Sequence, residues 1–495
     1  MGVKLEKMVL PSESDLEALP PDQLLALTKQ WRQRIDVYQG ILFRIRRQLF
    51  GQRSERREGA ATATLAPPSP TPRSETTKLP SQRYPDAVVQ VEDVTFEAAP
   101  VCPACGAMMQ DSGMSEESEY LTVNAKEFRV TQQRRHKHRC VKCHGAIVTA
   151  PAGLRVIPGG SYGDELIIDA TVSKYCDLIP MERYCQMARR SGFPGLPPHS
   201  LIQSTMKLSQ FLMDVFKKIK AETLLSQVLR ADETPHRMLE GDARHRWYLW
   251  GFFCDTACFF ECHDTRSGDV STAVLNASKC EVLVSDVYSG YKKSIRLANE
   301  LRQNLGRPMI QAAFCNAHAR REFYASDRPD QEALPSDAQF MLDQYQKIYR
   351  LEAEAKLLSG EAAILAKRTA MAPIFESMRA EAEAKQGSYS SKSQMASAYS
   401  YFLKNYDGLT LFLSNGKTPI DNNASERGLR SHVVGRKTWY GTHSKLGGRT
   451  AAILFSIVES CRLNAVNPRE YFPKICADLL AGKDPYTPYE FKART

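Results

Sequence analysis

The stretch from 227 to 324 restricts the fold more than any other part of this chain. "RWYLWGFFC" and "ACFFECHDTRSG" are aromatic, β-rich runs separated only by Asp255 and Thr256, and they read as consecutive antiparallel strands. "SQVLRADETPHRM" precedes them, a short apolar stretch that ends in Asp232 and Glu233. "CEVLVSDVYSGY" follows as another buried strand with Asp286 at its end, and "IQAAFCNAHARREF" reads as a strand running into a helix. Three hairpin-like strands followed by strand-helix alternation describe an α/β core.

A chain of 495 residues with 43% hydrophobic content is long enough for several domains, roughly three or more, each burying its own core. After the core strands the sequence turns helical and charged over 325–415, with "FMLDQYQKIYRLEAEAKLL" an amphipathic segment, so a helical insertion is expected there. The core resumes over 416–455 with "DNNASERGLR", and 456–495 forms a C-terminal element. Asp421 suits a helix N-cap, which places Glu426 on the first turns of a helix. Asn422 and Arg430 lie four residues to either side of Glu426, and they are expected to orient it. An ordinary Glu-Arg helix pair is the plainer explanation of that spacing.

The first 58 residues read as a coiled-coil-like helix and basic arm. From Pro20 the residues Trp31, Ile35, Tyr38, Leu42, Ile45 and Leu49 alternate by three and four, the spacing of a coiled-coil seam and equally of a helix packed on its own domain. Its basic end includes Arg46 and Arg47, candidates for phosphate contacts. Residues 59–98, rich in Pro, Ser, Thr and Ala, cannot bury much apolar surface and form a linker. Over 99–155, "CPAC" at Cys102 and Cys105 and "CVKC" at Cys140 and Cys143 supply four thiolates suited to a structural tetrahedral zinc ion, so a zinc-ribbon-like domain is expected. Arg134 and Arg135 make the second knuckle basic enough to touch a phosphate backbone. Residues 156–226 look helical, and a helix, a Gly/Pro-rich turn and a second helix opening near Ser200 fit a helix-turn-helix, with Gln203, Ser204 and Lys207 able to reach bases. Most helix pairs joined by a turn bind nothing.

Asp232 and Asp286 at strand ends and Glu426 on a helix form a possible constellation of hard oxygen ligands for two magnesium ions. Each alone is ordinary, since Asp at a strand end often makes a turn and Glu on a helix is usually solvated. At these residues the sequence resembles a known family. "ADETP", "SDVYSGY", "CNAHARREF" and "DNNASERGLRSHVVGRKTW" look like the successive signatures of DDE transposases of the insertion-sequence-66 type. The resemblance extends to "RRQLFGQRSE", the double Cys pair and "SIVESCRLNAVNPREYF". It implies a ribonuclease H-like catalytic core, with Asp232, Asp286 and Glu426 matching the catalytic acids. It also implies a leucine-zipper-like N-terminus, a zinc-binding domain and accessory proteins encoded by the same element. Asn316 stands where an aromatic residue is common in that family, which bears on local packing.

The activity expected from the resemblance is cleavage of insertion-sequence ends and joining of the 3′-hydroxyls to target DNA. A catalytically silent DNA-binding regulator derived from a transposase is the alternative, and a nuclease without strand transfer a third. Arg427, Arg430, Arg436 and Lys437 are expected to grip phosphates, and His318, Arg320 and Arg321 to line the DNA path or to pack on the insertion. A net charge of +10 agrees with a polyanionic partner. Self-association into a homo-oligomer is expected from the N-terminal seam. Thirteen cysteines and no apolar N-terminal segment lead to the expectation of reduced thiols in a cytoplasm, and no apolar run approaches the length of a membrane span.

Overall fold

The computed structural model describes residues 126–139, 147–239, 246–324 and 336–494, together with short stretches between 20 and 119. Two compact units are present, one of residues 52–131 and one of residues 1–51 and 132–495. In the smaller unit, Pro80–Arg83 is a single helical turn whose Ser81 donates from its backbone N–H and its hydroxyl to the Glu119 carboxylate, each at 2.7 Å. Cys102, Cys105, Cys140 and Cys143 lie outside the described residues, as do Arg46, Arg47 and the seam beyond Trp31. The expected N-terminal helix is helical at 21–24, 26–29 and 31–32.

In the larger unit, β1 (Lys137–Arg139) and β2 (Ile147–Thr149) pair antiparallel. Four helices follow: α1 (Asp164–Tyr175), α2 (Met181–Arg190), α3 (Pro198–Phe211) and α4 (Met213–Leu224). Pro198 opens α3 at its first position, where the missing N–H costs nothing.

The central sheet has five strands: β3 (Val228–Arg237), β4 (Arg246–Phe253), β5 (Cys258–His263), β6 (Val282–Ser285) and β7 (Gln311–Phe314), in the order β5-β4-β3-β6-β7. The pairs β3–β4 and β4–β5 are antiparallel, whereas β3–β6 and β6–β7 are parallel. Short hairpins allow the antiparallel half. The parallel half needs crossovers, which are α5 (Asp269–Ala277), and α6 (Ser289–Asn304) between β6 and β7. β7 runs into α7 (Asn316–Tyr324).

Residues 336–413 are almost wholly helical: α8 (Ser336–Ala355), α9 (Glu361–Thr369), α10 (Ala372–Lys385), α11 (Gln394–Lys404) and α12 (Tyr406–Thr410). They enclose an apolar core of their own around Tyr345, Ile348, Phe375, Met378 and Phe402, to which α7 adds Phe323. At its edge the buried Arg368 makes a bidentate pair with Glu352, at 2.7 and 2.9 Å. The same guanidinium donates to the carbonyls of Phe412, Asn415, Gly416 and Thr418. One side chain thereby closes the returning segment onto the insertion.

The chain comes back to the sheet as α13 (Asn423–Trp439) and α14 (Lys445–Leu463), and ends in α15 (Pro468–Leu480) and α16 (Pro488–Lys492). α14 is apolar nearly all round, as suits a helix between the sheet and the outer helices α3, α4 and α15. α13 crosses the sheet so closely that a Cβ on Gly428 would stand 2.4 Å from the Phe253 ring. Glycine is needed there for approach.

Candidate active site

Strand register brings the two aspartates level. The parallel pairing Val228↔Val282, Leu229↔Leu283, Arg230↔Val284 carries a constant offset, which continued by two residues sets Asp286 opposite Asp232. Ser285 pairs with Phe314 on β7, so Cys315 stands next to that level as the third strand end. Asp286 and Cys315 follow the carboxyl ends of β6 and β7, where open α/β sheets usually place their sites, whereas Asp232, expected at a strand end, lies inside β3, because pairing with β4 carries that strand on to Arg237.

Asp232 and Glu233 are adjacent on β3 and so face opposite sides of the sheet. On one side, Glu233 accepts from the Tyr291 hydroxyl at 2.6 Å and from Arg266 at 2.8 and 2.6 Å, and its side chain is only 2% exposed. Burial still lifts its carboxyl above the usual range against those bonds. Its oxygens are committed to structure.

On the other side, Asp232 has no such ion pair among the described residues. Burial first, then the charges of Glu233, Glu426 and Asp286, hold the Asp232 carboxyl well above the usual carboxylate range. Asp286 and Glu426 are thus near enough to bear on its charge, although residue 286 follows the end of β6 and residue 426 belongs to the first turn of α13. One Asp286 oxygen accepts from the Tyr288 N–H at 3.0 Å, the ordinary turn role of such an aspartate. Glu426 lies where the helix dipole favours a negative charge.

Asn422 and Arg430 do not orient Glu426 as expected from spacing. Asn422 is the N-cap residue of α13, and its side-chain amide donates to the Ala231 carbonyl at 2.9 Å, so it fastens the helix to β3. Arg430 is exposed and makes no ion pair with Glu426. The neighbour of Glu426 is His318 on α7, with Nδ1 3.6 Å from Oε1. The capping role belongs to Asp421 only in part: from the position before Asn422 it accepts the Asn423 N–H at 3.1 Å.

A model described as the transposase IS66 family matches residues 159–450. The chain belongs to the IS66 transposase family. Relatives from Sinorhizobium fredii (strain NBRC 101917 / NGR234) match over most of its length: uncharacterized protein y4hP is 27% identical over 478 residues, covering 88% of this chain and 84% of that protein. Uncharacterized proteins y4jD and y4qI are 26% and 27% identical, each covering 77% of this chain and 75% and 72% of their own. A transposase acts on DNA, and among the described residues no helix is long and apolar enough to cross a membrane.

The basic residues read from the sequence of this transposase fall in several places. Arg427, Arg430 and Lys437 are exposed along α13, the helix of Glu426, and Arg436 is half-buried with its charge beside His236 and His432. His318, Arg320 and Arg321 are half-buried on α7. Gln203 and Lys207 are exposed on α3, but Ser204 is buried and bonds the Ser200 carbonyl, so it is not available to bases. Arg134 and Arg135 are exposed beside β1.

Cys315, His236 and His432 were not among the site residues expected from the sequence. Cys315 accepts the Asn422 N–H through its sulfur at 3.2 Å, and the C-x-x-H spacing to His318 was the visible clue. His236 and His432 form a buried pair between β3 and α13, 3.1 Å apart, with His236 also bonded to Thr442 at 2.7 Å. Burial, with Arg436 nearby, lowers His236 to about 4; burial and the neighbouring charges of His236 and Arg436 hold His432 well below the histidine range. Asn316 is fully buried and its side-chain amide donates to the Leu409 and Ile420 carbonyls at 2.9 and 3.0 Å, two bonds that an aromatic ring at this position would not make.

Proposed function

We propose that this transposase cleaves DNA at the ends of its insertion sequence and joins the freed 3′-hydroxyls to target DNA, with Asp232, Asp286 and Glu426 as the acids that hold two magnesium ions. The reading is supported above all by the environment of Asp232, whose carboxyl is destabilised as an anion by both of the other acids. Three carboxylates that bear on one another's charge fit hard divalent ions, which take carboxylate oxygens and keep part of their water. The buried Glu426 Oε1, which has no hydrogen-bond partner, fits the same reading. Bound magnesium would supply the positive charge that stabilises an in-line displacement at phosphorus.

The chain's own residues divide the remaining work. Asn422 holds the Glu426 helix against β3, and Tyr291 and Arg266 keep Glu233 turned away from the other three acids. Arg427, Arg430 and Lys437 would meet the phosphate backbone along α13. The sheet order, three antiparallel strands continued by two parallel ones with acids at the junction, supports a ribonuclease H-like core with the helices of 336–413 inserted before the Glu426 helix. We also propose a structural zinc ion at Cys102, Cys105, Cys140 and Cys143, association through the N-terminal helix, accessory proteins of the same element, and action in the cytoplasm.

The test is magnesium-dependent nicking and joining of a terminal-repeat duplex by the full chain and by Asp232→Ala, Asp286→Ala and Glu426→Ala. Each variant is expected to lose nicking while keeping its affinity for the duplex. Undiminished nicking by any of them refutes its assignment.

A further inference from the structure

Cys315, His318 and Glu426 lie beside the proposed magnesium site but have a different chemistry. One ligand atom from each lies within 4.8 Å of those of the other two. His318 Nδ1 and Glu426 Oε1 are both buried and have no hydrogen-bond partner. Their separation of 3.6 Å exceeds the ~2.7–3.2 Å of a hydrogen bond. It falls within the roughly 3.3–3.8 Å that tetrahedral geometry sets between two ligands bound at about 2.0–2.3 Å.

The third group is prepared for the same task. The Cys315 sulfur accepts the Asn422 N–H at 3.2 Å, and that bond favours its thiolate form against the burial that pushes the thiol up to about 12. A helix-capping thiol and a weak His-Glu pair would account for the sulfur contact. They would still leave two buried polar atoms unsatisfied, which a shared ion would satisfy. Thiolate, imidazole and carboxylate together suit zinc and are foreign to magnesium, which prefers oxygen alone.

We propose that Cys315, His318 and Glu426 bind a zinc-class ion that takes Glu426 away from the two aspartates and so inhibits DNA cleavage. Binding releases the Cys315 proton to solvent and forms the bonds to sulfur, nitrogen and oxygen, with a fourth position left for water. The inhibitory half rests on the assignment of Glu426 to the magnesium site. The binding half does not.

The experiment counts zinc per chain on the full-length protein after equilibration with zinc in excess magnesium, for wild type, Cys315→Ser and His318→Ala. Wild type is expected to keep one ion more than either variant, and equal counts overturn the proposal. His318 is partly exposed, so His318→Ala carries the comparison should Cys315→Ser fail to fold. Cobalt in place of zinc gives a second readout: wild type should show a thiolate-to-cobalt charge-transfer contribution that Cys315→Ser lacks, and identical spectra count against the site. Filling the extra equivalent should slow wild-type nicking by at least about tenfold; an unchanged rate overturns the inhibitory half. Absence of any magnesium-dependent nicking would count against the proposed function alone, because the zinc count stands independently of it.

Discussion

The side-chain amide of Asn422 donates to the carbonyl of Ala231 at 2.9 Å across 191 positions of sequence, which ties the helix of Glu426 to the strand residue next to Asp232. Ala231 is buried, so the bond is made out of water, where geometry is held firmly and an unpaired group is costly.

Asn422→Ala should therefore act on activity more than on DNA affinity. It removes a buried hydrogen bond to the Ala231 carbonyl, at a cost of about 0.5–1.5 kcal/mol in stability. Loosening Glu426 relative to Asp232 should slow nicking by up to about a hundredfold. Urea denaturation and single-turnover nicking measure the two effects; a rate equal to wild type would show that the contact does not position Glu426.

Asp232→Asn is expected to stabilise the chain at neutral pH while abolishing cleavage. The folded state holds a proton on Asp232 more tightly than the unfolded chain does, because burial and the three neighbouring acids oppose its charge. The stability associated with the protonated group is complete below the ordinary aspartate range near pH 3.9 and is lost as pH rises above it. Wild type should thus melt below Asp232→Asn at pH 7, and magnesium should narrow the difference. A variant that melts at or below wild type at pH 7 would refute the destabilising role.

The histidine pair predicts acid sensitivity of the opposite sign. His236 and His432 are buried neutral, so the unfolded chain takes up protons below about pH 6.5 while folded His236 does so only near 4. Stability present above that unfolded value is lost as pH falls through the window. His236 alone accounts for about 3 kcal/mol between these limits. Denaturation midpoints at pH 7 and 4.5 should converge in His236→Gln relative to wild type; parallel behaviour of the two proteins would exclude the pair as the source.

Arg368→Met should unfold the insertion more readily than any surface change. It leaves the buried Glu352 with only Lys356 at 4.0 Å and takes one donor from each of four carbonyls, a loss of about 3–5 kcal/mol. Hydrogen exchange over 336–420 reads it directly, and protection equal to wild type would contradict the bond network.

Much of the sheet was legible because its strands are short, aromatic and bounded by turn residues. The hairpin at Asp255 and Thr256 needs no distant partner to be recognised, and β4 and β5 meet there in the register that their alternation implies. Asp286 and Glu426 could be singled out as acids at a strand end and near a helix start, since local pattern alone marks those places, but Asp232 lies within β3, because the strand continues to Arg237 through its pairing with β4. What fastens Glu426 could not be read in that way. Spacing along one helix pointed to Asn422 and Arg430, yet the contacts run to Ala231 and His318 on other elements.

By itself the sequence determined the kinds and order of the elements from the sheet onward, because periodicity and turn chemistry act over a few residues. Only the tertiary structure decided that Asp286 comes level with Asp232, that Glu233 is turned away to Arg266 and Tyr291, and that Cys315 and His318 flank Glu426. Those outcomes depend on parallel register and on the return of the chain after a long helical excursion. Both are set by the burial of faces distant in sequence, which no local pattern encodes.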